Sequence, residues 1–336
     1  MRILIVSDAW LPQVNGVVRT LLAIGDELGR AGHVVEVLGP DRFQSVPCPT
    51  YPEIRLALAP GRRLRRLIDD FKPDTIHLAT EGPLGWSARR YCRMRGYAFT
   101  TSFHTRFPEY LAARFPVPAG LTYAVVRRFH NAAAATMVAT AGLRTELAER
   151  GFRHLALWTR GVDLTMFRPQ PKRDHGRPRP YFLYVGRVAV EKNIAAFLAI
   201  DLPGTKIVVG DGPELAKLRR EYPAVVFTGA KYDDELTAFY ADADVFVFPS
   251  LTDTFGNVLL EALACGVPVA AFPVRGPLDV ITDPAVGCLD MDLRAAALKT
   301  LTLSGTTCRE FAEGRSWRLS AEQFRDNLAP LRAIAA

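Results

Sequence analysis

The sequence predicts an α/β fold made of two Rossmann-like domains. The chain has 336 residues, which exceeds one ordinary hydrophobic core and suits two domains of ordinary size. Hydrophobic residues make up 49% of the chain, and in both halves short apolar runs alternate with helical segments. Near-continuous apolar strands separated by helices are typical of parallel sheets that helices cover on both faces.

The first half opens with a strand, a loop, a helix and a second strand. Residues 2–6 form a near-continuous apolar run, and a helix from Val17 to about Ala31 has apolar residues at helical spacing. Gly16, which ends the loop after Asn15, can bring backbone N–H groups up to a phosphate, although it is equally explained as a turn glycine. Further strands of this half are predicted at 34–38, 74–78, 97–102, 137–140 and 155–158.

The second half begins after a polar, Pro- and Gly-rich segment, 169–180, which predicts a linker. The domains are therefore expected at 1–168 and 181–312. Strands of the second domain are predicted at 181–185, 206–209, 225–229 and 244–248.

The stretch 248–271 carries the clearest site. It reads as strand, loop, helix and strand, with helix-capping side chains expected from 252–254. Gly256 permits close approach of a ligand to the backbone, and the helix start offers N–H donors and about half a positive charge. Asp253 and Glu261 bracket this cradle, and carboxylates accept hydrogen bonds from sugar hydroxyls. The combination suits a nucleotide sugar, whereas the alternative makes Asp253 an N-cap and Glu261 a solvated carboxylate.

Two cations follow the strand 181–185. Arg187 and Lys192 are five residues apart across a turn, beside the start of a helix. Arginine contacts phosphate in a planar, bidentate manner and lysine acts as a point charge, so the pair can clamp a diphosphate. The alternative is a pair of ordinary surface cations.

Composition excludes several classes. No apolar run approaches the roughly 18–20 residues that a membrane-spanning helix needs, and the opening apolar run is too short for a signal peptide. We therefore expect a cytoplasmic protein. The five cysteines are scattered without a C-x-x-C pair, which favours free thiols and no zinc site.

Charge is unevenly distributed. Residues 1–165 have a net charge of +8 and residues 166–336 of −1. Within the basic half, 61–72 predicts an amphipathic helix with four arginines, suited to an anionic membrane surface or, alternatively, an ordinary solvated face. A second basic and aromatic segment, 114–130, is expected on the acceptor side. No nucleic-acid-binding motif interleaves these cations with a stacking platform.

Several motifs together resemble the retaining family-4 glycosyltransferases, which have the GT-B fold of two Rossmann-like domains with the active site in the cleft between them. The family usually has Glu where this chain has Asp253. The motifs are Asp253 with seven spacers and Glu261 before Gly-x-Pro-Val, Gly186-Arg187 with Glu191-Lys192-Asn193, Phe103-His104-Thr105, Gly210-Asp211-Gly212-Pro213, and W-x-R-G-V-D at 158–163. The last resembles the glycolipid-synthesising members, including diacylglycerol, sulfoquinovosyl and mannosyl-lipid transferases.

The resemblance implies a role for each matching residue. It places His104 at the donor sugar, Arg187 and Lys192 on the donor phosphates, and Glu261 on the ribose hydroxyls. It leaves Arg160 as either a functional residue or a buttress, and 313–336 as a helix returning to the first domain. The implied catalytic residues are His104, Asp253, Arg187 and Lys192. The implied donor-binding residues are Gly16, Arg187, Lys192, Gly210, Gly212, Lys231, Thr254, Phe255, Gly256, Asn257 and Glu261.

The expected function is transfer of a hexose, with retention and without a metal or cofactor, from a nucleotide sugar to a membrane lipid such as diacylglycerol. UDP-glucose or UDP-glucuronic acid is the first donor candidate. The alternative is GDP-mannose, with a lipid or a soluble sugar as acceptor. The protein is expected to be peripheral on the cytoplasmic face of the membrane. A different class also stays open, namely a non-catalytic protein that binds nucleotide sugars or nucleic acid.

Overall fold

A computed structural model describes residues 1–13, 15–48, 51–112, 118–174 and 176–331. Its internal contacts divide the chain into two compact units. The first unit contains Met1–Thr159 together with the described part of 317–336, and the second contains Arg160–Ser316. Each unit is an α/β structure, so the predicted fold class is confirmed.

The first unit is built on a parallel sheet with the strand order β2-β1-β5-β6-β7-β8. An antiparallel pair, β3 and β4, lies outside this sheet and was not among the predicted strands. The strands are β1 Arg2–Val6, β2 Val34–Leu38, β3 Ser45–Cys48, β4 Tyr51–Ala57, β5 Thr75–Leu78, β6 Thr100–Phe103, β7 Ala135–Val138 and β8 Leu155–Leu157. The helices are α1 Gly16–Arg30, α2 Gly61–Phe71, α3 Pro83–Arg95, α4 Phe107–Ala112, α5 Ala119–His130 and α6 Ala141–Glu149, with a 3-10 turn at Pro40–Arg42.

Helices cover both faces of the first sheet, as the apolar strands predict. Successive side chains of a strand point to opposite faces, and in β1 Leu4 and Val6 join one core cluster while Ile3 and Ile5 join another. The first cluster contains buried residues of α2 and α3, and the second contains those of α1. The loops at the carboxyl ends of the strands are thus held on a rigid frame.

The second unit has its own parallel sheet, with the order β11-β10-β9-β12-β13-β14. The strands are β9 Tyr181–Val185, β10 Thr205–Val209, β11 Val226–Gly229, β12 Val245–Phe248, β13 Val269–Ala271 and β14 Gly287–Leu289. The helices are α7 Ile194–Ala199, α8 Leu215–Glu221, α9 Asp233–Asp242, α10 Asn257–Ala264, α11 Pro277–Val280, α12 Leu293–Thr300 and α13 Gly305–Glu313, with a 3-10 turn at Val190–Lys192. The strand β9 is buried along its whole length, which is the expected property of a central parallel strand.

The last described helix, α14 Trp317–Asp326, packs within the first unit. Trp158 donates its indole N–H to Ser320 Oγ at 3.1 Å, and its ring lies 4.8 Å from the ring of Phe324. The helix expected within 313–336 is shorter than that range, because it begins at Trp317 and ends before Pro330, whose backbone bridges to Thr75. Residues 332–336 lie outside the described part.

The described residues of the predicted linker 169–180 belong to the second unit. Arg173 donates to both carboxylate oxygens of Asp242 through its backbone and side chain, and Arg179 and Lys172 contact Asp244. Asp242 and Asp244 therefore anchor this segment, and Asp242 is only 3% exposed. The polar composition of this segment suggested a linker. The sequence did not reveal its contacts, because the acidic partners lie some seventy residues further along the chain.

Candidate active site

Most of the predicted donor-binding residues lie at one edge of the second unit's sheet. The neighbouring strands β10, β9 and β12 end directly before Gly210, Gly186 and Pro249. Because carboxyl ends of parallel strands share one edge, the loops that follow them lie side by side, and open α/β sheets bind ligands there. Lys231 follows the edge strand β11 and pairs with Glu235 at 3.3 Å.

Two glycines allow the loop after β10 to pack against the loop after β9. A Cβ on Gly210 would lie 1.8 Å from the Gly186 carbonyl oxygen, and one on Gly212 would lie 2.3 Å from that of Val188. In return, Val188 donates its N–H to the Asp211 carbonyl at 2.8 Å. Gly210 and Gly212 therefore position the loop that carries Arg187, in addition to any contact with a nucleotide.

An ion pair joins two of the predicted catalytic residues. Lys192 Nζ lies 2.5 Å from Asp253 Oδ1, with the two side chains 20% and 15% exposed. Thr252 Oγ1 also donates to the Glu191 carbonyl, and Asn193 Nδ2 to that of Pro249. These contacts tie the loop after β9 to the loop after β12, so residues some sixty positions apart form one group.

Two buried oxygens at this edge have no hydrogen-bond partner among the described residues. They are Ser250 Oγ, whose residue is fully buried, and Asp253 Oδ2. Buried polar atoms are nearly always hydrogen-bonded in folded proteins, so exceptions of this kind are typical of places where a ligand or water supplies the bond. Both oxygens precede α10.

The start of α10 differs from the prediction. The sequence suggests caps from 252–254, but the residue before the helix is Gly256, at a φ of 85° and without a side-chain cap hydrogen bond. The carboxylate of Asp253 contacts Lys192 instead, so its predicted role as an N-cap is wrong. Gly256 is needed here because a Cβ would lie 2.9 Å from the ring of Phe248. Phe255 is buried just before Gly256.

Glu261, about one turn into α10, is not a solvated carboxylate. It is 6% exposed, and the buried Tyr240 donates its hydroxyl to Glu261 Oε2 at 2.8 Å. This bond fixes the orientation of the carboxylate. The sequence contains no signal for Tyr240, which is an apolar-patterned residue of α9 brought to Glu261 by packing.

In the first unit, Gly16 and His104 also lie at a carboxyl edge. His104 follows β6, and its ring meets the ring of Trp158 edge-on at 5.4 Å. Gly16 is the first residue of α1, where Asn15 Oδ1 already accepts from the amides of Val17 and Val18. Any contact between α1 and a phosphate must therefore use the Gly16 amide rather than a wholly open helix start.

Asp8, in the loop after β1, caps α3. Its carboxylate accepts from the Leu84 N–H at 2.9 Å, the Gly85 N–H at 3.3 Å and the Thr80 hydroxyl. Burial raises the pKa of Asp8 above its ordinary value, while these bonds oppose the rise. Asp8 is a structural residue in this unit.

A buried histidine near the same edge was missed. His130 is fully buried, with Nε2 2.8 Å from Glu81 Oε1 and Nδ1 2.9 Å from Thr101 Oγ1. Glu81 follows β5 and His104 follows β6, and these two strands are neighbours in the sheet. In the sequence, only the position of Glu81 after a predicted strand indicated a functional residue here. The pairing with His130 could not be predicted, because His130 lies 49 residues away.

The basic helix 61–72 forms as α2, but its apolar side is used internally. Leu64, Ile68 and Phe71 are buried in the first unit's core, and the four arginines of the helix are exposed. Of the second basic segment, Arg114 and Phe115 lie outside the described residues, and Tyr123 and Phe129 are buried. Arg160 is 5% exposed, and burial lowers its pKa to about 9.

No helix in the described part of the chain is long and apolar enough to cross a membrane. The described residues also contain no group of three or more His, Cys, Asp or Glu side chains arranged to hold a metal ion.

Two parallel α/β units, each with loops gathered at the carboxyl edge of its sheet, have the architecture of GT-B glycosyltransferases. The chain belongs to glycosyltransferase family 4. Residues 14–166 match the model of Glycosyltransferase Family 4, and residues 179–303 match that of Glycosyl transferases group 1.

Similar curated proteins include glycosyltransferases of several specificities. A GDP-mannose-dependent alpha-mannosyltransferase of Mycobacterium tuberculosis is 33% identical over 86% of this chain and 83% of its own length. Sulfoquinovosyl transferase SQD2 of Arabidopsis thaliana is 33% identical over 84% of this chain and 62% of its own length. An alpha-monoglucosyldiacylglycerol synthase of Streptococcus pneumoniae is 25% identical over 96% of this chain and 83% of its own length.

Solved structures show the same fold. Anabaena Alr3699/HepE in complex with UDP superposes with a TM-score of 0.72 at 16% identity, over 97% of this chain and 99% of that one. Sucrose-phosphate synthase from Thermosynechococcus elongatus gives a TM-score of 0.73 at 21% identity, over 97% of each chain.

Proposed function

We propose that this glycosyltransferase moves a hexose from a nucleotide diphosphate sugar to a membrane lipid, with retention of configuration, forming an α-glycolipid. The observation that carries the proposal is the group at the second unit's sheet edge. There, Lys192 pairs with Asp253, whose Oδ2 has no partner among the described residues, and Arg187 lies on the same loop as Lys192, after β9. Gly256 precedes the start of α10. Cations, helix amides and a carboxylate are the groups that a diphosphate joined to a sugar requires.

Each residue receives a role in this proposal. Arg187, Lys192 and the Gly16 amide hold the diphosphate, and Glu261, oriented by Tyr240, accepts the ribose hydroxyls. Asp253 contacts the donor sugar. His104 stabilises that sugar from the first unit. The nucleotide and its phosphates rest on the loops of Gly210, Gly212 and Lys231 and on the backbone of Thr254, Phe255, Gly256 and Asn257.

The chemistry follows from charge. The leaving diphosphate becomes more negative as the sugar bond breaks, and fixed cations directed at that charge stabilise the transition state. Two protein cations at the leaving group support a metal-independent transfer. We propose same-face attack, in which the departing phosphate oxygen takes the proton of the acceptor hydroxyl.

The acceptor proposal rests on the relatives and on charge. The alpha-monoglucosyldiacylglycerol synthase and the sulfoquinovosyl transferase among them favour a glycolipid product. The basic first half of the chain suits an anionic membrane surface at which the protein would be peripheral. Diacylglycerol is the first acceptor to test, followed by a phosphatidylinositol-type lipid.

A second candidate function has its own support. Three of the relatives are named GDP-mannose-dependent alpha-mannosyltransferases, at 33%, 34% and 29% identity. They favour GDP-mannose over UDP-glucose or UDP-glucuronic acid as the donor, with a lipid or a soluble sugar as the acceptor.

A donor and acceptor panel tests both candidates. The full chain is incubated with each of the three nucleotide sugars and with diacylglycerol vesicles, phosphatidylinositol vesicles or a soluble mannoside, and products are separated by thin-layer chromatography. We expect one donor to give an α-linked lipid product. Arg187→Ala should lower that rate by about 10²–10³-fold, whereas the exposed Arg220→Ala of the same unit should not. Nucleotide binding without any transfer would instead support the non-catalytic class.

A further inference from the structure

We propose that the first unit has a phospholipid-headgroup site on the surface formed by α3 and the outer row of α5, distinct from the arginine helix α2. This α3–α5 surface is defined by Arg89, Arg90, Arg93, Met94, Leu121 and Arg128. It would contact the phosphodiester groups of an anionic lipid and insert apolar side chains between headgroups. The inference rests on the proposed action at a membrane, and it names the part of the protein that touches the lipid.

The anchor of this surface is Arg89, which is held in place before any ligand arrives. It is 7% exposed, and it donates from Nε to the Phe129 carbonyl at 3.1 Å and from Nη2 to the Arg128 carbonyl at 2.8 Å. Its guanidinium also lies over the Trp86 ring, 5.1 Å from the centroid. These two bonds use two of its three nitrogens, and Arg89 lines a shallow pocket together with Trp86, Arg90, Arg93 and Met94.

The charges around Arg89 are not neutralised within the described chain. No carboxylate lies within ion-pair distance of Arg89, Arg90, Arg93 or Arg128 among the residues the structure describes. Burial lowers the pKa of Arg89, and the positive charges of Arg93 and Arg128 lower it further. Guanidinium groups that repel one another around a pocket form a site for a phosphate-type anion, because arginine matches phosphate geometry.

Exposed apolar side chains on the same two helices as these arginines favour a lipid over a free anion. Met94 is 61% exposed on α3, and Leu121 and Val125 are 63% and 50% exposed on α5. Residues four and three apart on a helix share a face, so Leu121, Val125 and Arg128 form one outward row. Soluble phosphate needs no such neighbours, whereas a membrane interface suits exposed aliphatic side chains among arginines.

The helix α2 lacks this combination. Its apolar residues Leu64, Ile68 and Phe71 are buried in the core, so it offers only arginines to a membrane. The two surfaces can therefore be separated by substitution. Loss of α2 arginines should weaken only long-range attraction, whereas loss of the α3–α5 residues should remove both attraction and insertion.

Vesicle cosedimentation of the full chain tests the proposal. Vesicles contain phosphatidylcholine with 30% or no phosphatidylglycerol, at 0.1 M NaCl. At about 1 kcal/mol per basic residue near an anionic surface, Arg90→Gln with Arg93→Gln should weaken binding roughly thirtyfold. Met94→Ser with Leu121→Ser should weaken it roughly tenfold without changing the net charge. The matched control, Arg220→Gln with Arg318→Gln, removes the same charge elsewhere and should change binding less than threefold.

Three results would overturn the inference. One is an equal loss in the Arg90/Arg93 variant and its charge-matched control, which would mean diffuse attraction. Another is loss on substituting Arg62 and Arg66 of α2 but none on substituting α3–α5 residues. The third is release by inorganic phosphate beyond that by NaCl of equal ionic strength, which would make the occupant a free anion. Because all the substituted residues are exposed, unchanged melting curves should show that the variants fold. No donor or acceptor is needed, so a chain that binds vesicles without transferring sugar would refute the proposed function and leave this site standing.

Discussion

The two residues of the ion pair between Lys192 and Asp253 should differ in their effect on stability. We expect replacement of the lysine to lower the free energy of unfolding more than replacement of the aspartate. The two side chains are only 20% and 15% exposed. The carbonyl oxygen of Asp253 lies 2.6 Å from the position that a Cβ on Gly276 would occupy. The loop of Asp253 is therefore closely packed and has little room to move. Its Oδ2 is already buried without a partner in the described chain.

The magnitudes follow from what each replacement leaves behind. Lys192→Met leaves a largely buried carboxylate without its cation, which costs about 3 kcal/mol. Asp253→Asn leaves a lysine whose long stem can turn its ammonium toward solvent, which costs about 1 kcal/mol. The double variant Lys192→Met with Asp253→Asn should recover much of the larger loss, because no unpaired charge remains.

Calorimetry of the full chain at pH 7 can measure the difference. For a unit of this size, 1 kcal/mol corresponds to about 2–4 °C in Tm, so the second unit should melt about 6–12 °C lower in Lys192→Met and about 2–4 °C lower in Asp253→Asn. The exposed Lys299→Met of the same unit is the matched control and should melt as the wild type does. Equal losses in the two single variants, with a double variant at their sum, would refute the reasoning.

Three further outcomes are expected. His104→Ala should lower kcat more than donor affinity, because the ring is assigned to the donor sugar and other groups, above all Arg187 and Lys192, are assigned to the donor phosphates; steady-state kinetics with calorimetric donor titration would show the split, and equal losses would indicate a binding role. Gly210→Ala should abolish donor binding by displacing the loop of Arg187, since its Cβ would lie 1.8 Å from the Gly186 carbonyl oxygen; a nucleotide titration with normal affinity would contradict this. Glu146→Gln should destabilise the first unit at pH 7 but not at low pH. The hydrogen bond from Arg106 holds the pKa of Glu146 below its ordinary value, so that stability is present above the unfolded-state pKa and is lost as pH falls through the folded-state pKa. Urea unfolding of the wild type and of Glu146→Gln at pH 7 and at pH 3 would measure this. The same difference in unfolding free energy at both pH values would mean that the ion pair contributes nothing.

The elements of the fold could be predicted because their signals are local. The strands at 2–6, 34–38 and 181–185 have the predicted bounds, since each is an apolar run between a helix and a loop. Strand ends also located the loops of Arg187 and His104. The antiparallel pair β3–β4 was missed: β3 is only four residues long, and each strand contains a proline, a residue that is rare in strands.

Contacts between side chains within the site were harder to predict from the sequence. The sequence suggested a helix cap at Asp253, but that carboxylate contacts Lys192, 61 residues away. Glu261 was open to a solvated interpretation until Tyr240 was placed against it. In each case the partner is set by which strands are neighbours in the sheet, and single-residue patterns do not contain that information.

By itself, the sequence determined two α/β units, a family of enzymes and the loops at which chemistry is expected, because strand periodicity and motif spacing are properties of neighbouring residues. Tertiary structure alone decided that the apolar side of α2 faces the core, that Asp8 caps α3 and that 169–180 joins the second unit. Those outcomes depend on burial and on pairing between distant residues. A charged or apolar side chain acquires its role only when packing determines which groups surround it.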